Sequence, residues 1–150
     1  MIRLIISDCD GVLTDGKLYY GAEGEVLKVF NVKDGTAMKA LMAKGIKLGI
    51  VSGRSSQALA RRAEELGLDF CQMGIENKAE VVRELVSTYR LTKEEVLYVG
   101  DDVNDSSARD EVGLFCAVAD ADQIVKDISD VVLQSNGGSG IFKEILNVLI

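Results

Sequence analysis

A chain of 150 residues, 47% hydrophobic and 27% charged, is long enough to bury one sizeable core, so we expect a single domain over residues 1–150. Its formal net charge of −7 argues against nucleic acid as a partner, because phosphate backbones select basic surfaces. The sequence contains no histidine, which excludes the triads, general bases and zinc sites that depend on it.

The sequence also indicates in which compartment the protein resides and whether it contacts a membrane. No apolar run approaches the ~20 residues that span a bilayer, and the acidic pair follows the first apolar run too soon for a secretory signal. The three cysteines, Cys9, Cys71 and Cys116, are widely spaced in apolar surroundings and are typical of free thiols in a reducing compartment. We predict a cytoplasmic protein with no membrane partner.

Apolar, β-branched runs alternate with amphipathic stretches along the chain. In chain order we predict a strand at 3–7, a hairpin at 17–32, a helix at 34–44, a strand at 47–51, a helix at 55–66, a strand at 70–73, a helix at 77–89, a strand at 96–99, a helix at 105–111, a strand at 114–118, a helix at 121–127, a strand at 131–133 and a helix at 141–149. Strands that are apolar on both faces and separated by helices indicate a parallel sheet covered on both sides. We therefore predict an α/β fold, a single doubly wound parallel sheet whose sites lie at the carboxyl ends of the strands.

The segment "KLYYGAEGEVLKVFNV" at 17–32 interrupts this alternation. It alternates like two short strands around "GAEG", which predicts a small β-hairpin between the first strand and the first helix. Such a hairpin is too apolar to stand alone in water, so we expect it to pack on another surface, such as a neighbouring subunit.

The first acidic motif is "DCDG", where Asp8 and Asp10 follow the first strand and precede Gly11. Residues two apart in an extended segment project to the same side, so both carboxylates point beyond the strand end. An isolated motif of this kind is also compatible with a turn that carries solvated acids. An EF-hand calcium loop is excluded, since the glycine comes too early and no glutamate stands at the twelfth position.

A second strand ends in "YVGDDVND", which adds Asp101, Asp102 and Asp105. Carboxyl ends of parallel strands meet at one rim, so the two acidic motifs together form an oxygen-rich site suited to Mg²⁺. Without a cation, carboxylates gathered this closely would repel one another or take up protons.

Two further strand ends contribute groups that suit an anion. In "VSGRS", Ser52 and Gly53 precede a predicted helix, and a hydroxyl with backbone N–H groups at a helix N-terminus can cradle a phosphate. Lys78 lies in the first turn of another helix, where a cation opposes the helix dipole and so suggests a nearby anion. The alternatives are a plain N-cap serine and a surface lysine.

The order of these motifs resembles that of the haloacid dehalogenase superfamily of phosphotransferases. Further segments are similar to its capless, KdsC-type branch, the 3-deoxy-D-manno-octulosonate 8-phosphate phosphatases: "DGVLTDGKLYYGAEGE", "KVFNVKDG", "VSGR", "VGDD", "AVADA" and "NGGSG". The resemblance covers nearly the whole chain. It implies an open site without a separate cap domain, closed by the hairpin of a neighbour in a homotetramer.

The resemblance also implies roles for individual residues. Asp8 would be the nucleophile that forms an aspartyl-phosphate, and Asp10 the general acid and base. Mg²⁺ would lie between the Asp8 carboxylate, the Asp10 carbonyl and Asp101, with Asp102 or Asp105 in support. The transferring phosphoryl group would be bound by Ser52, Gly53 and Lys78.

The implied substrate is a small phosphorylated sugar acid. Arg54 is a candidate for its carboxylate, although an exposed first-turn arginine is an equal alternative, and Lys33 and Asp34 would line the same entrance. The chain departs from relatives in "DSSARDEVG" and in Lys143, which stands where the family pattern has arginine.

These departures keep a nonulosonate 9-phosphate phosphatase as an alternative substrate class. A non-catalytic scaffold with the same fold is a second alternative. A response-regulator receiver is disfavoured, because it has its phosphoacceptor on strand three and its lysine after strand five, and it lacks the hairpin at 17–32. Here the acidic pairs follow the first and fourth strands of the predicted sheet, with Lys78 between them.

Overall fold

The chain forms eight strands and five α-helices in a computed structural model that describes all residues, Met1–Ile150. In chain order they are β1 (Leu4–Ser7), β2 (Tyr19–Gly21), β3 (Gly24–Leu27), α1 (Val32–Ala43), β4 (Lys47–Val51), α2 (Gln57–Leu66), β5 (Phe70–Gln72), α3 (Lys78–Thr88), β6 (Val96–Gly100), β7 (Leu114–Ala117), α4 (Gln123–Ile128), β8 (Val131–Val132) and α5 (Ile141–Glu144). Short 3₁₀ helices occupy Lys93–Glu95 and Val103–Glu111, and α5 continues as a π-helical turn over Ile145–Leu149.

Six strands form one parallel sheet in the order β5-β4-β1-β6-β7-β8. The chain winds outward from β1 through β4 and β5, then crosses back to β6 on the other side of β1. This arrangement confirms the predicted doubly wound α/β fold, and its direction reverses between β1 and β6, where such sheets open a crevice at their carboxyl edge.

The core explains why the central strands are apolar on both faces. Leu4, Ile5 and Ile6 of β1 are fully buried, as are Leu97 and Val99 of β6, because helices cover both sides of the sheet. No helix has both the length and the apolar character needed to cross a membrane.

The start of α2 differs from the prediction. The helix begins at Gln57 rather than at residue 55, because the Ser56 hydroxyl accepts a hydrogen bond from the Leu59 N–H and is the N-cap. Ser52 stays in sheet-like pairing, with its N–H donating to the Gln72 carbonyl. Ser52 therefore directly follows β4 and does not cap α2.

The hairpin is the only structure inserted between β1 and α1. Strands β2 and β3 pair antiparallel, with Tyr19 opposite Leu27 and Gly21 opposite Gly24. Apolar side chains on and beside it remain exposed: Leu18, Tyr20, Val26, Leu27 and Val29. The predicted hairpin is present, but its strands occupy only Tyr19–Leu27 and α1 already begins at Val32.

Candidate active site

The carboxyl ends of β1, β4 and β6 surround a cavity of about 250 Å³. Seven residues singled out from the sequence line it: Asp8, Asp10, Ser52, Gly53, Arg54, Asp101 and Asp102. Gly16, Leu18 and Asn104 complete the lining. Residues separated by more than 90 positions in the chain thus share one opening at the reversal point of the sheet.

The register of the sheet brings the two acidic motifs together. Ser7 lies opposite Val99, and the Asp8 N–H donates to the Val99 carbonyl at 3.0 Å. Gly11 then turns the chain away with a φ of +82°, and a Cβ at this position would overlap the Asp101 carboxylate. Glycine is required here because the loop after β1 passes directly against the acid that follows β6.

Three carboxylates meet below this opening. Asp8, Asp101 and Asp105 place oxygens within 4.8 Å of one another. Burial, followed by the charge of Asp105, raises the pKa of Asp8 to about 7, and burial with the neighbouring Asp8 raises the pKa of Asp101 to about 9. Without a cation, the Asp8–Asp101 pair therefore retains a proton at neutral pH.

Lys78 lies beneath the cavity and is fully buried. Its ammonium donates to Asp105 Oδ1 at 2.6 Å and lies 3.2 Å from Asp8 Oδ1. Burial alone would lower the pKa of Lys78, but the two carboxylates outweigh it and raise that pKa. The anion that the helix position of Lys78 suggested is thus supplied, in the protein itself, by Asp8 and Asp105.

Asp105 organises the site through its hydrogen bonds. Its Oδ1 accepts from Lys78 and from the Tyr98 hydroxyl, and its Oδ2 accepts from the N–H groups of Asp101 and Asp102. Burial strongly raises the pKa of Tyr98, which keeps its hydroxyl protonated as a donor. Because protein donors occupy both oxygens, Asp105 holds Lys78 and the acidic loop in place and has little capacity left for a metal.

The remaining oxygens fit a divalent cation. Asp101 Oδ1 is buried and receives no hydrogen bond, and the Asp10 carbonyl accepts none. Asp102 is exposed and accepts from the Val103 N–H at 2.7 Å, so it caps the following 3₁₀ helix. The unpartnered Asp101 oxygen, the Asp10 carbonyl and the Asp8 carboxylate together form the all-oxygen ligand set that Mg²⁺ prefers.

The Ser52–Gly53 loop borders the cavity, but without the helix N-terminus that we predicted beside it. It lies four residues before the N-cap of α2, so no helix N-terminus contributes to it. The Ser52 hydroxyl accepts from the Arg54 N–H at 3.3 Å, which curls the loop and leaves the hydroxyl proton available to an anion.

Arg54 is partly exposed at the rim of the cavity. Its guanidinium lies 6.0 Å from the centre of the Tyr20 ring and 3.8 Å from Glu25 Oε2. Both partners belong to the hairpin, so the hairpin holds this arginine beside the opening.

Lys33 and Asp34 do not line the entrance, which corrects the prediction. Asp34 is buried and accepts from the Phe142 N–H at 2.9 Å, because α5 packs on the start of α1. Lys33 lies in a separate groove between α1 and α5.

The sequence reasoning missed two hairpin residues. The Lys28 ammonium lies 2.6 Å from Asp10 Oδ1 and 2.9 Å from Glu25 Oε2, and its side chain is only 5% exposed. Glu25 also accepts from the Ser56 hydroxyl at 2.7 Å. Their only signal in the sequence is an acid and a base three positions apart within an otherwise apolar segment.

Comparisons with known proteins identify the family to which the chain belongs. Residues 20–113 match the family of haloacid dehalogenase-like hydrolases. A relative from Haemophilus influenzae, the 3-deoxy-D-manno-octulosonate 8-phosphate phosphatase KdsC, is 40% identical over 149 residues, which cover 99% of this chain and 83% of the relative.

Solved structures resemble the chain equally well. The cobalt-bound form of the deoxy-D-mannose-octulosonate 8-phosphate phosphatase from H. influenzae superposes with a TM-score of 0.95 at 40% identity, covering 99% of this chain and 86% of that one. The Moraxella catarrhalis 3-deoxy-D-manno-octulosonate 8-phosphate phosphatase, in complex with magnesium ion, phosphate ion and KDO, superposes with a TM-score of 0.94 at 34% identity, covering 99% and 85%.

Likeness at this level extends over nearly the full chain in sequence and in fold. The chain belongs to the haloacid dehalogenase-like hydrolases, and within them to the KdsC-type phosphoric monoester hydrolases.

Proposed function

We propose that this protein is a Mg²⁺-dependent phosphatase of a phosphorylated 2-keto-3-deoxy sugar acid, with 3-deoxy-D-manno-octulosonate 8-phosphate as its preferred substrate. The observation that carries the proposal is the meeting of Asp8 and Asp101, with raised pKa values and an unpartnered oxygen, beside Lys78 and the Ser52 loop. The names of the relatives support the substrate class.

Asp8 is the nucleophile in this proposal. Its Oδ1 accepts hydrogen bonds from the Cys9 N–H at 2.8 Å and is 3.2 Å from Lys78, which fixes the carboxylate and leaves Oδ2 to attack phosphorus. The Asp8–phosphorus bond forms as the bond between phosphorus and the sugar oxygen breaks. The product is an aspartyl-phosphate that water later hydrolyses.

Asp10 moves the protons of both steps. It lines the cavity and is 23% exposed, so it can donate a proton to the leaving sugar oxygen. It then accepts a proton from the water that attacks the aspartyl-phosphate. Loss of this acid–base group typically costs about 100-fold or more in rate.

The phosphoryl oxygens are bound by the Ser52 hydroxyl, the Gly53 N–H and the Lys78 ammonium. Mg²⁺ would be held by the Asp8 and Asp101 carboxylates and the Asp10 carbonyl, and it would neutralise the negative charge that otherwise keeps a phosphate away from these acids. Phosphoryl transfer depends mainly on positioning and on charge stabilisation, and these residues supply both.

Arg54 binds the carboxylate of the sugar acid in this proposal, since a guanidinium suits that bidentate geometry. A monomer leaves Arg54 at an open rim. We therefore propose a cytoplasmic homotetramer of single-domain chains, in which the exposed apolar hairpin of one subunit covers the site of a neighbour.

Phosphate release from a panel of phosphorylated sugar acids, with Mg²⁺ and with EDTA, tests the proposed function. We expect Mg²⁺-dependent turnover, with kcat/KM for 3-deoxy-D-manno-octulosonate 8-phosphate at least about tenfold above that for a nonulosonate 9-phosphate. Asp8→Asn keeps the shape of the side chain but removes the nucleophile, so we expect it to abolish turnover.

A reversed preference would transfer the assignment to the nonulosonate 9-phosphates. Absence of release from every sugar phosphate in the presence of Mg²⁺ would favour the non-catalytic scaffold.

A further inference from the structure

The hairpin reaches the loop after β1 through Lys28, whose side chain is largely covered. Lys28 follows β3, and its ammonium donates to Asp10 Oδ1 at 2.6 Å. Its side chain is 5% exposed, against 23% for Asp10. A lysine is seldom buried to this extent unless it is paired, because desolvation of the ammonium must be offset by carboxylates.

This contact constrains the orientation of the Asp10 carboxylate. Lys28 is the only residue that donates a hydrogen bond to that carboxylate, and it uses Oδ1. Asp10 Oδ2 has no partner in the protein and is the oxygen left for exchange of a proton with a ligand in the cavity. A carboxylate without Lys28 could rotate among its rotamers or turn away from the acids around it.

Glu25 fixes Lys28 in turn. Its Oε2 lies 2.9 Å from the Lys28 ammonium, and its Oε1 accepts from the Ser56 hydroxyl at the start of α2. Glu25 Oε2 also lies 3.8 Å from Arg54. A continuous polar chain therefore runs from Asp10 through the hairpin to the N-cap of α2 and the rim arginine.

We propose that Lys28 is a positioning residue for Asp10: its ammonium, held by Glu25, orients the carboxylate so that Oδ2 faces the bound phosphoester. The position of the hairpin thus determines whether the acid–base group is aligned. This inference rests on the proposed function, since it gives Asp10 its role in proton transfer.

A double-mutant cycle between Lys28→Met and Asp10→Asn tests the proposal. Methionine keeps the length of the side chain and removes the ammonium. We expect Lys28→Met to lower kcat for the sugar-acid phosphate about tenfold or more with little change in KM, and to lower it by less than about twofold in the Asp10→Asn background. Lys39→Met on the exposed face of α1 is the matched control and should retain full activity.

A substrate with a good leaving group separates positioning from general loss of structure. The leaving group of 4-nitrophenyl phosphate needs no proton, whereas hydrolysis of the aspartyl-phosphate still requires aligned Asp10. In Lys28→Met we expect the first equivalent of nitrophenolate to be released at close to the wild-type rate. The steady-state rate of release that follows should be slower than in the wild type. Equal loss in both phases, or additive losses in the double-mutant cycle, would overturn the proposal.

Two further measurements keep the proposal testable. If Lys28→Met does not fold, Lys28→Gln enters the same cycle with the same outcomes. A crystal structure of the lysine variant should show the Asp10 carboxylate rotated or in two rotamers, and an unchanged carboxylate would contradict the proposal. An inactive wild-type enzyme would instead refute the proposed function.

Discussion

Individual carboxylates at the acidic edge of this protein have different hydrogen-bond surroundings. Asp105 is saturated by four donors, Asp101 retains an orphaned oxygen, and Asp10 is held by a single lysine. The sequence shows all three as acids after strands. Only the tertiary contacts distinguish them, and from these contacts we propose a scaffolding role for Asp105, cation binding for Asp101 and proton transfer for Asp10.

Asp34 provides a test at the residue scale that is separate from the active site. Burial raises its pKa to about 6, although the Phe142 N–H and the charge of Arg62 act to lower that pKa. Its Oδ1 accepts from the Phe142 N–H, and its Oδ2 has no donor. A carboxyl whose folded pKa lies above its unfolded value stabilises the fold below the unfolded pKa, and this contribution is lost as pH rises through the folded value.

Asp34→Asn keeps an acceptor for Phe142 and cannot ionise. We therefore expect the free energy of unfolding of the wild type to fall by up to about 3 kcal/mol more than that of the variant between pH 4 and pH 8. Urea denaturation at several pH values measures the difference. Parallel pH profiles for the two proteins would contradict the assigned environment of Asp34.

At the scale of elements, capping determines where the Ser52 loop ends and α2 begins. Three serines in "VSGRSSQ" are equally good N-caps by local rules, so the sequence could not choose among them. The structure selects Ser56, because Ser52 is engaged by β5 and Ser55 is exposed. The loop between β4 and α2 is therefore longer than predicted, and the residues that line the cavity belong to this loop and not to the helix.

Ser56→Ala should lower the free energy of unfolding by about 1 kcal/mol, since it removes the acceptor for the Leu59 N–H. It also removes the donor to Glu25, so the hairpin should become more accessible to protease. Ser55→Ala, one residue earlier and exposed, is the matched control. A shift of equal size in both variants, measured by thermal unfolding, would rule out the cap.

At the scale of the whole molecule, the prediction succeeded where hydrophobic pattern determines position. Two apolar runs end in "DCDG" and "GDD", and the carboxyl ends of parallel strands meet at one edge of the sheet. Asp8 and Asp101 were therefore predicted at this edge, and they lie there. The pairing of Lys28 with Asp10 and the burial of Asp34 under α5 could not be predicted. They depend on how the hairpin and α5 pack, and no local pattern encodes those orientations.

Charge at the acidic edge also links the stability of the whole protein to pH and to metal. The pKa values of Asp8 and Asp101 are raised, so the folded state binds more protons than the unfolded state. In EDTA, stability should therefore fall as pH rises from 6 to 9. Mg²⁺ needs deprotonated ligands, so the increase in Tm that it produces should grow over the same range. A Tm increase that is independent of pH would contradict this linkage.

The most direct test of the account is calorimetric titration of the EDTA-treated protein with Mg²⁺, in the wild type, in Asp101→Asn and in the exposed control Asp110→Asn. We predict one Mg²⁺ per chain in the wild type and the control, and binding weaker by about tenfold or more in Asp101→Asn, because that residue supplies the unpartnered buried oxygen. Equal affinity in all three proteins would show that the cation binds elsewhere and would contradict the assignment of the acidic edge as the catalytic centre.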